Sequence, residues 1–91
     1  MTGYCPCYSC SEGYGSNTAS GVRAKEGITV AADKRKIPLG TKIYIEGVGE
    51  RIVQDVGGAI KGNKLDIYVE NHSDCYRAEY NTTAKVYIIN E

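Results

Sequence analysis

The sequence contains no Trp and no Phe, only one His and two Pro, and it carries a formal net charge of zero. A neutral chain gives no sign of the basic face that nucleic-acid-binding proteins usually carry. It also has no excess of positive charge that would attract it to an anionic membrane. No apolar run approaches the roughly 20 residues that a membrane-spanning helix needs. We therefore expect that the protein neither binds nucleic acid nor spans a membrane.

The polar, Cys-rich stretch after Met1 does not resemble a secretory signal peptide, which needs an apolar centre. A role outside the cell therefore predicts either a domain cut from a longer protein or another exit route, such as phage lysis. The chain has 91 residues and neither an internal repeat nor a linker. We expect one domain, residues 1–91, with a small core.

The four cysteines are distributed unevenly, because three cluster near the N-terminus and one stands far away: Cys5, Cys7, Cys10 and Cys75. An even count in a short chain is compatible with one or two disulfides. The same residues could instead hold a tetrahedral zinc ion, with His72 as a substitute ligand, although a second Cys-x-x-Cys pair is lacking. Reduced thiols are the third alternative. In each case we expect the cysteines to tie the N-terminal segment, residues 1–21, to the rest of the domain.

Short apolar and alternating runs dominate the chain after Gly27 and predict an all-β fold. Five strands are expected, at residues 28–32, 42–46, 51–54, 65–69 and 84–89, with a hairpin loop at 47–50. The segment from His72 to Tyr80 is the only one with helical character, and Asn71 or Ser73 is its expected N-cap. Several short strands, Gly-rich connections and one short helix are typical of a small β-barrel.

Three aspartates stand in or next to predicted strands, although Asp is disfavoured in strands. Asp33 and Asp55 each follow a strand, and Asp66 lies inside the strand at 65–69. A carboxylate beside apolar neighbours has its charged form disfavoured, which raises its pKa. A raised pKa is what a proton donor at neutral pH requires. We expect a functional role for Asp55 and Asp66, because a Gly-rich loop lies between them. For Asp33 a turn role is the alternative.

Period-two alternation places Leu65, Ile67 and Val69 on one face of their strand, so Asp66 and Tyr68 share the other face. If the apolar face packs in the core, the Asp66 carboxylate points into a groove or towards solvent. A carboxylate in that position can reach a ligand.

A Gly-rich loop, Gly57–Gly62, lies between Asp55 and Asp66. Its glycines allow a bulky ligand to approach the backbone closely. Its length is suitable for joining two neighbouring strands so that both carboxylates lie on one rim. The loop does not match the phosphate-binding motif, because Asn63 follows it where Lys-Ser or Lys-Thr is required. No cofactor is expected.

Four segments together resemble the three-aspartate (3D) domain family: Thr18–Gly21, Ile37–Thr41, Gln54–Gly62 and Leu65–Tyr68. The last two of these segments also resemble the catalytic barrel of membrane-bound lytic transglycosylase A. The N-terminal segment Tyr4–Cys10 and the closing strand Lys85–Ile89 fit the same family pattern. The resemblance therefore covers nearly the whole chain.

This resemblance implies a small double-psi β-barrel with one short helix, and cleavage of peptidoglycan glycan strands between N-acetylmuramic acid and N-acetylglucosamine. The product is a 1,6-anhydro sugar, and no water is consumed. The resemblance also implies that Asp66 is the main catalytic aspartate, Asp55 its partner and Asp33 a supporting residue. Groove positions that contact the glycan match Thr18, Gly57, Gly58, Lys61 and Tyr68. A secreted or cell-wall-associated location is expected, as a monomer or a strand-swapped dimer.

Two other classes of function stay open. Double-psi barrels also occur in expansin-like proteins, so the same groove could bind cell-wall glycan without cutting it. An aspartic protease is the second alternative, because Asp55–Gly57 is close to the Asp-Thr/Ser-Gly motif and a short chain could form a symmetric dimer. Val56 lacks the required hydroxyl, however, and a protease leaves Asp66 without a role.

Overall fold

A computed structural model describes residues 1–6, 18, 20–56, 60 and 62–89 of the chain. Its six strands are β1 (Thr2–Tyr4), β2 (Thr29–Ala32), β3 (Lys42–Ile45), β4 (Gly49–Asp55), β5 (Leu65–Tyr68) and β6 (Val86–Ile88). Two 3₁₀ helices, His72–Tyr76 and Ala78–Tyr80, lie between β5 and β6. No helix in these ranges is long and apolar enough to cross a membrane.

All six strands belong to one sheet, in the order β1-β5-β2-β4-β3-β6. The central strand β2 pairs antiparallel with β5 on one side and parallel with β4 on the other. At the edges, β1 runs parallel to β5 and β6 runs antiparallel to β3. The all-β fold class is thus confirmed. Within the described residues the sheet keeps two edges, β1 and β6, so the closed double-psi barrel is not confirmed.

One face of the sheet carries the main hydrophobic core. Four of its aliphatic side chains come from the four inner strands and are 0% exposed: Val30, Ile43, Val53 and Ile67. Leu65, Ile67 and Val69 pack together in this core, which confirms the predicted alternation along β5. Full burial of one such side chain contributes about 1.5–3 kcal/mol relative to its exposed state. The core therefore fixes which residues of β5 face the opposite side.

The N-terminal segment contributes a full strand of the sheet. Residues 1–21 were expected to form loop and turn with at most one short strand, and β1 is such a strand. Thr2 pairs with Asp66 and Tyr4 pairs with Tyr68 along the edge of β5. A three-residue strand that contains Gly3 is too short to show alternation. Its pairing also depends on a partner more than 60 residues away along the chain. Sequence periodicity does not predict such a strand.

The predicted helix at 72–80 is divided into two 3₁₀ turns. Arg77 lies between them with extended backbone angles of φ −61° and ψ 139°. The side-chain amide of Asn81 donates to the carbonyl oxygens of Cys75 and Arg77, at 2.7 and 2.8 Å, and so satisfies groups that a continuous helix would pair internally. The expected N-cap, Asn71, makes no side-chain capping bond. The helical segment lies where the sequence predicted it, but it consists of two short 3₁₀ helices and not of one helix.

The β3–β4 hairpin closes through two glycines with left-handed backbone angles. Gly47 has a φ of 86° and Gly49 a φ of 117°, which residues with a Cβ rarely adopt. β4 begins at Gly49 and runs two residues further back than the sequence predicted. The loop is correspondingly shorter, and the hairpin holds β4 firmly beside β3.

Candidate functional site

A β-bulge in β4 brings Asp55 onto the same face of the sheet as Asp66. Val30 pairs with Val53, but the next residue of β2, Ala31, pairs with Asp55, so Gln54 is an extra residue in β4. Regular alternation would have placed Asp55 on the same face of the sheet as Val53, which lies two residues earlier and is buried in the main core. The bulge moves the Asp55 side chain to the opposite face, which is a known use of bulges.

Ala31 has Asp66 as its pairing partner on the other side, in β5. The two aspartates therefore flank one alanine, on strands that lie two strand spacings apart, which is about 10 Å between their Cα atoms. Both aspartates lie on the same face of the sheet, as the prediction of a shared rim requires. The expectation that their strands are neighbours is wrong, because β2 lies between them.

The Asp66 carboxylate lies in a partly buried position and accepts a hydrogen bond of 2.8 Å from the Thr2 hydroxyl. Burial raises the pKa of the Asp66 carboxyl above its usual range, and the negative charge of Asp55 raises it further. The hydrogen bond from Thr2 opposes part of this shift, since it stabilises the charged form. Asp66 thus holds a proton more readily than an ordinary exposed aspartate does.

Tyr4 connects the edge strand to Asp55. Its hydroxyl donates to one carboxylate oxygen of Asp55 at 3.2 Å, and the backbone amide of Val56 donates to the other at 2.9 Å. Burial and the Asp55 charge together raise the pKa of the Tyr4 hydroxyl, so Tyr4 stays protonated and remains a donor. Both oxygens of Asp55 are therefore held by donors, which fix the position of the carboxylate.

The floor of this face is a small second cluster of buried side chains. The ring of Tyr4 meets that of Tyr68 edge to face, with centroids 5.3 Å apart. Ala24, Ala31 and the partly buried Ile60 pack against the two rings. Tyr68 is only 1% exposed. In this structure it supports Tyr4, and its predicted contact with a glycan would require its neighbours to move.

Asp33 has a different environment from the other two aspartates, and its carboxylate is fully engaged. It is 6% exposed, accepts from the Nε and Nη2 atoms of Arg35 at 3.3 Å each, and also accepts from the Arg35 amide. Its second oxygen accepts from the amide of Gly62 at 2.9 Å. The side-chain bonds from Arg35, aided by the two amides, hold the pKa of Asp33 well below its usual range. Asp33 thus anchors the end of the loop that leads into β5.

We expect Asp33→Asn to destabilise the fold at neutral pH and to have no such effect in strong acid. Because the folded pKa is depressed, the ionised carboxylate stabilises the fold above its unfolded value of about 3.9. That contribution is lost as the pH falls through the folded pKa. Urea midpoints of the two proteins, measured from pH 7 downwards, should therefore converge. The exposed neighbour Lys34→Gln is the control, and a constant gap between wild type and Asp33→Asn at all pH values would contradict this role.

The other predicted groove residues are placed only in part. The Thr18 hydroxyl bonds to the Ser20 hydroxyl at 3.0 Å and to the carbonyl oxygen of Val22. The Ser20 amide donates to the carbonyl of Gln54, which brings the Thr18 turn next to Asp55. Gly57, Gly58 and Lys61 lie outside the described residues. A surface pocket lined by Gly27, Ile28, Lys42, Glu50, Arg51 and Ile52 lies towards the other end of β4 and contains neither aspartate.

Two contributors to the site were not predicted from the sequence, namely Thr2 and Tyr4. Both lie on β1 and face the same side as Asp66 and Tyr68, because the parallel register aligns the two strands residue by residue. The one sequence signal for them is their spacing. Thr2 and Tyr4 are hydrogen-bonding side chains two positions apart, beside the Cys-rich segment. That signal is too short to distinguish a strand from a turn.

The cysteines of the described residues lie together beneath β1. Cys5 and Cys75 are both buried, and the Cys5 sulfur lies 3.3 Å from Nδ1 of His72. Cys7 and Cys10 lie outside the described residues, so the predicted disulfides and the four-cysteine zinc site stay predictions. Cys5 and Cys75 belong to the same core cluster. The expectation that the cysteines hold the whole N-terminal segment against the rest of the domain stays a prediction.

Comparison with known protein families shows to which family the chain belongs. The model of the 3D domain family matches residues 28–90. The chain belongs to the 3D domain family. YabE of Bacillus subtilis strain 168, named as a cell wall shaping protein, is 44% identical over 85 residues, which are 90% of this chain and 20% of YabE. YocH of the same strain, named as a cell wall-binding protein, is 56% identical over 45 residues, or 50% of this chain and 16% of YocH.

Several solved structures of the E. coli lytic transglycosylase MltA are similar to this chain as well. The crystal structure of E. coli MltA with bound chitohexaose superposes with a TM-score of 0.64 and 27% identity, over 79% of this chain and 26% of MltA. A second crystal structure of E. coli MltA gives a TM-score of 0.65 and 31% identity over the same shares. A third MltA structure is described as a lytic transglycosylase fold. The chain spans about a fifth or less of its curated relatives and about a quarter of MltA.

Proposed function

We propose that this 3D domain acts on the bacterial cell wall as a peptidoglycan lytic transglycosylase, cutting between N-acetylmuramic acid and N-acetylglucosamine. The observation that carries the proposal is the pair of aspartates on one face of the sheet, one with a raised pKa and one held by two donors. The similarity to MltA, which is solved with a bound chitohexaose, supports a glycan as the ligand of this face. The names of YabE and YocH support the cell wall as its place of action.

The reaction needs one group that first gives and then takes a proton. Protonated Asp66 donates its proton to the oxygen that bridges the two sugars, and the glycosidic bond breaks. The Asp66 carboxylate then accepts the proton of the muramic 6-hydroxyl while that oxygen attacks the anomeric carbon. The new bond closes the 1,6-anhydro ring, and no water enters. A single acid/base of this kind differs from the two carboxylates of ordinary glycosidases.

Asp55 acts in this scheme through its charge. Its carboxylate is held between the Tyr4 hydroxyl and the Val56 amide, and its negative charge raises the pKa of Asp66, which favours the protonated form of Asp66 before the reaction. The same negative charge stabilises the positive charge that develops on the sugar ring. We further propose that Thr18, Gly57, Gly58 and Lys61 contact the glycan, and that the chain completes a double-psi barrel as the family pattern implies.

The products of digestion test the proposal directly. Purified peptidoglycan is incubated with the full chain, and the released sugars are weighed by mass spectrometry. A lytic transglycosylase releases fragments with anhydro ends, each lighter by one water than a hydrolysed end. Fragments with reducing ends only would show a hydrolase, and a chain that releases no fragment would be a binding module.

We expect Asp55→Asn to move the alkaline limb of the pH–rate profile to lower pH. Activity requires protonated Asp66, so the rate falls as the pH rises through the pKa of that residue. Since the Asp55 charge contributes to the raised pKa, its removal lowers this pKa, although burial keeps it above the usual range. The carboxyl carbon shift of Asp66, followed by NMR during a pH titration, measures the pKa independently of activity. An unchanged titration midpoint would contradict electrostatic coupling of the two residues.

A glycan-binding domain without cleavage is the second candidate, and the name of YocH is the observation that favours it. Such a domain needs the same open face but no proton donor. For such a domain, we expect the Asp66→Asn variant to bind insoluble peptidoglycan as the wild type does. We also expect the wild-type chain to release no sugar. The pull-down and the digestion can be run on the same samples.

A further inference from the structure

Three side chains that commonly bind metals converge beneath the edge strand, on the side away from the aspartates. The sulfur atoms of Cys5 and Cys75 and a ring nitrogen of His72 all lie within 4.8 Å of one another. Cys5 directly follows β1, while the other two residues belong to the first 3₁₀ helix. The cluster therefore joins two segments that are about 70 residues apart in the chain.

The spacing of these atoms is close to that of a metal centre. Zinc–sulfur bonds of about 2.3 Å and zinc–nitrogen bonds of about 2.0 Å at tetrahedral angles place the ligand atoms about 3.5–3.8 Å apart. The Cys5 sulfur lies 3.3 Å from Nδ1 of His72. Only small side-chain movements separate this arrangement from a coordinating one.

The histidine is held in the orientation that a metal ligand requires. Its second ring nitrogen, Nε2, lies 3.2 Å from the hydroxyl of Tyr76, one turn further along the same helix. The two rings also meet edge to face with centroids 5.5 Å apart. A hydrogen bond at the second nitrogen restrains the ring plane, and metal-bound histidines usually have such a partner. Nδ1 is thereby directed at the two sulfurs.

We propose that Cys5, His72 and Cys75 bind one Zn²⁺ ion, which fastens β1 to the first 3₁₀ helix. Thiolate and imidazole ligands at this spacing match zinc better than calcium or magnesium, which prefer oxygen. On binding, the two thiols lose their protons to solvent, and the two negative charges are neutralised by the ion. Neutralisation matters here because both sulfurs are buried, and a buried unpaired thiolate is costly.

A cysteine–histidine catalytic pair would use the same residues for a different purpose. A nucleophilic thiol has to reach its substrate, yet Cys5 is 1% exposed and faces the main core. A metal ligand needs no such access. The burial therefore favours a structural site. Such a site would affect function by holding β1 in place, and with it Thr2 and Tyr4.

The test uses the full chain, purified under reducing conditions without oxygen and titrated with Zn²⁺ and with Co²⁺ as a spectroscopic probe. We expect one zinc per chain by elemental analysis, and a cobalt spectrum with thiolate charge-transfer absorption and the strong visible bands of a tetrahedral site. Cys5→Ser, Cys75→Ser and His72→Ala are each expected to weaken binding by on the order of 10²-fold or more, since even loss of a supporting partner costs about 10–100-fold.

Tyr76→Phe and Ser73→Ala complete the experiment. Tyr76→Phe keeps all three ligands and should bind about 10–100-fold more weakly. Ser73→Ala changes an exposed residue of the same turn and should bind like wild type. Amide exchange at Thr2–Tyr4 should slow when zinc is added, which is a readout independent of any activity. The proposal is overturned if the reduced chain takes up no metal, if the three ligand variants bind as tightly as wild type, or if mass spectrometry finds Cys5 and Cys75 joined in a disulfide in the native protein.

Discussion

An Asp66→Asn variant is expected to lose peptidoglycan cleavage by on the order of 10²-fold or more, because general acid–base assistance contributes on that scale. The substitution keeps the shape of the side chain and an oxygen that can accept the hydrogen bond from Thr2. It removes only the proton that the reaction needs. The rate of release of anhydro sugars from purified peptidoglycan measures the loss, and near wild-type release would rule out Asp66 as the acid.

The same variant should be at least as stable as wild type at neutral pH. The folded pKa of Asp66 is raised, so the fold binds the proton more tightly than the unfolded chain does. Ionisation above that pKa therefore costs stability, and the neutral amide avoids this cost. The thermal midpoint of Asp66→Asn should equal or exceed that of wild type at pH 7, and the difference should disappear in acid. A large drop in the midpoint would mean that lost activity reflects unfolding.

Gly3→Ala is expected to be the most destabilising conservative change in the edge strand, by about 1–3 kcal/mol. A Cβ atom at this position would lie 2.8 Å from the carbonyl oxygen and 2.9 Å from the Cα of Cys75. Both atoms are backbone, so no side-chain rotation relieves the contact. Either β1 or the first 3₁₀ helix must move, and Thr2 and Tyr4 lose their alignment with the aspartates. Urea unfolding measures the loss, and an unchanged midpoint would show that the two segments are not tightly packed.

Thr2→Ala on the same strand is the matched control. It leaves the backbone contact with Cys75 intact and removes one hydrogen bond, whose net value is about 1 kcal/mol or less. Because the Thr2 hydroxyl lowers the pKa of Asp66, its loss should raise that pKa further. Gly3→Ala and Thr2→Ala thus separate the position of β1 from the hydrogen bond that it supplies.

The sequence was sufficient for those features that depend on neighbours along the chain. Alternation in β5 correctly assigned Leu65, Ile67 and Val69 to the core, since a one-residue slip would bury the Asp66 carboxylate. The family motif predicted the 3D fold family from the segments around Asp55 and Asp66. These features are local, and their physical cause is present within a few residues.

Other features depend on pairing between distant segments, and these were missed. The bulge at Gln54 arises from the way β4 meets β2, and no pattern in β4 alone indicates it. Strict alternation would even have placed Asp55 in the core. The insertion of β2 between β5 and β4, and the parallel addition of β1, are likewise properties of the whole sheet. The predicted continuous helix failed for a similar reason, because Asn81 bonds back to Cys75 and Arg77.

The pairing of β1 with β5 has a consequence for when the chemistry becomes available. The contacts of Thr2 with Asp66 and of Tyr4 with Asp55 join residues 64 and 51 positions apart. Contacts of such range close late in folding, since the entropy of a long loop must be overcome first. A nascent or clipped chain therefore carries two ordinary, solvated carboxylates. If the proposed function holds, latency follows from the chain topology, because wall-cutting activity begins only after β1 has paired with β5.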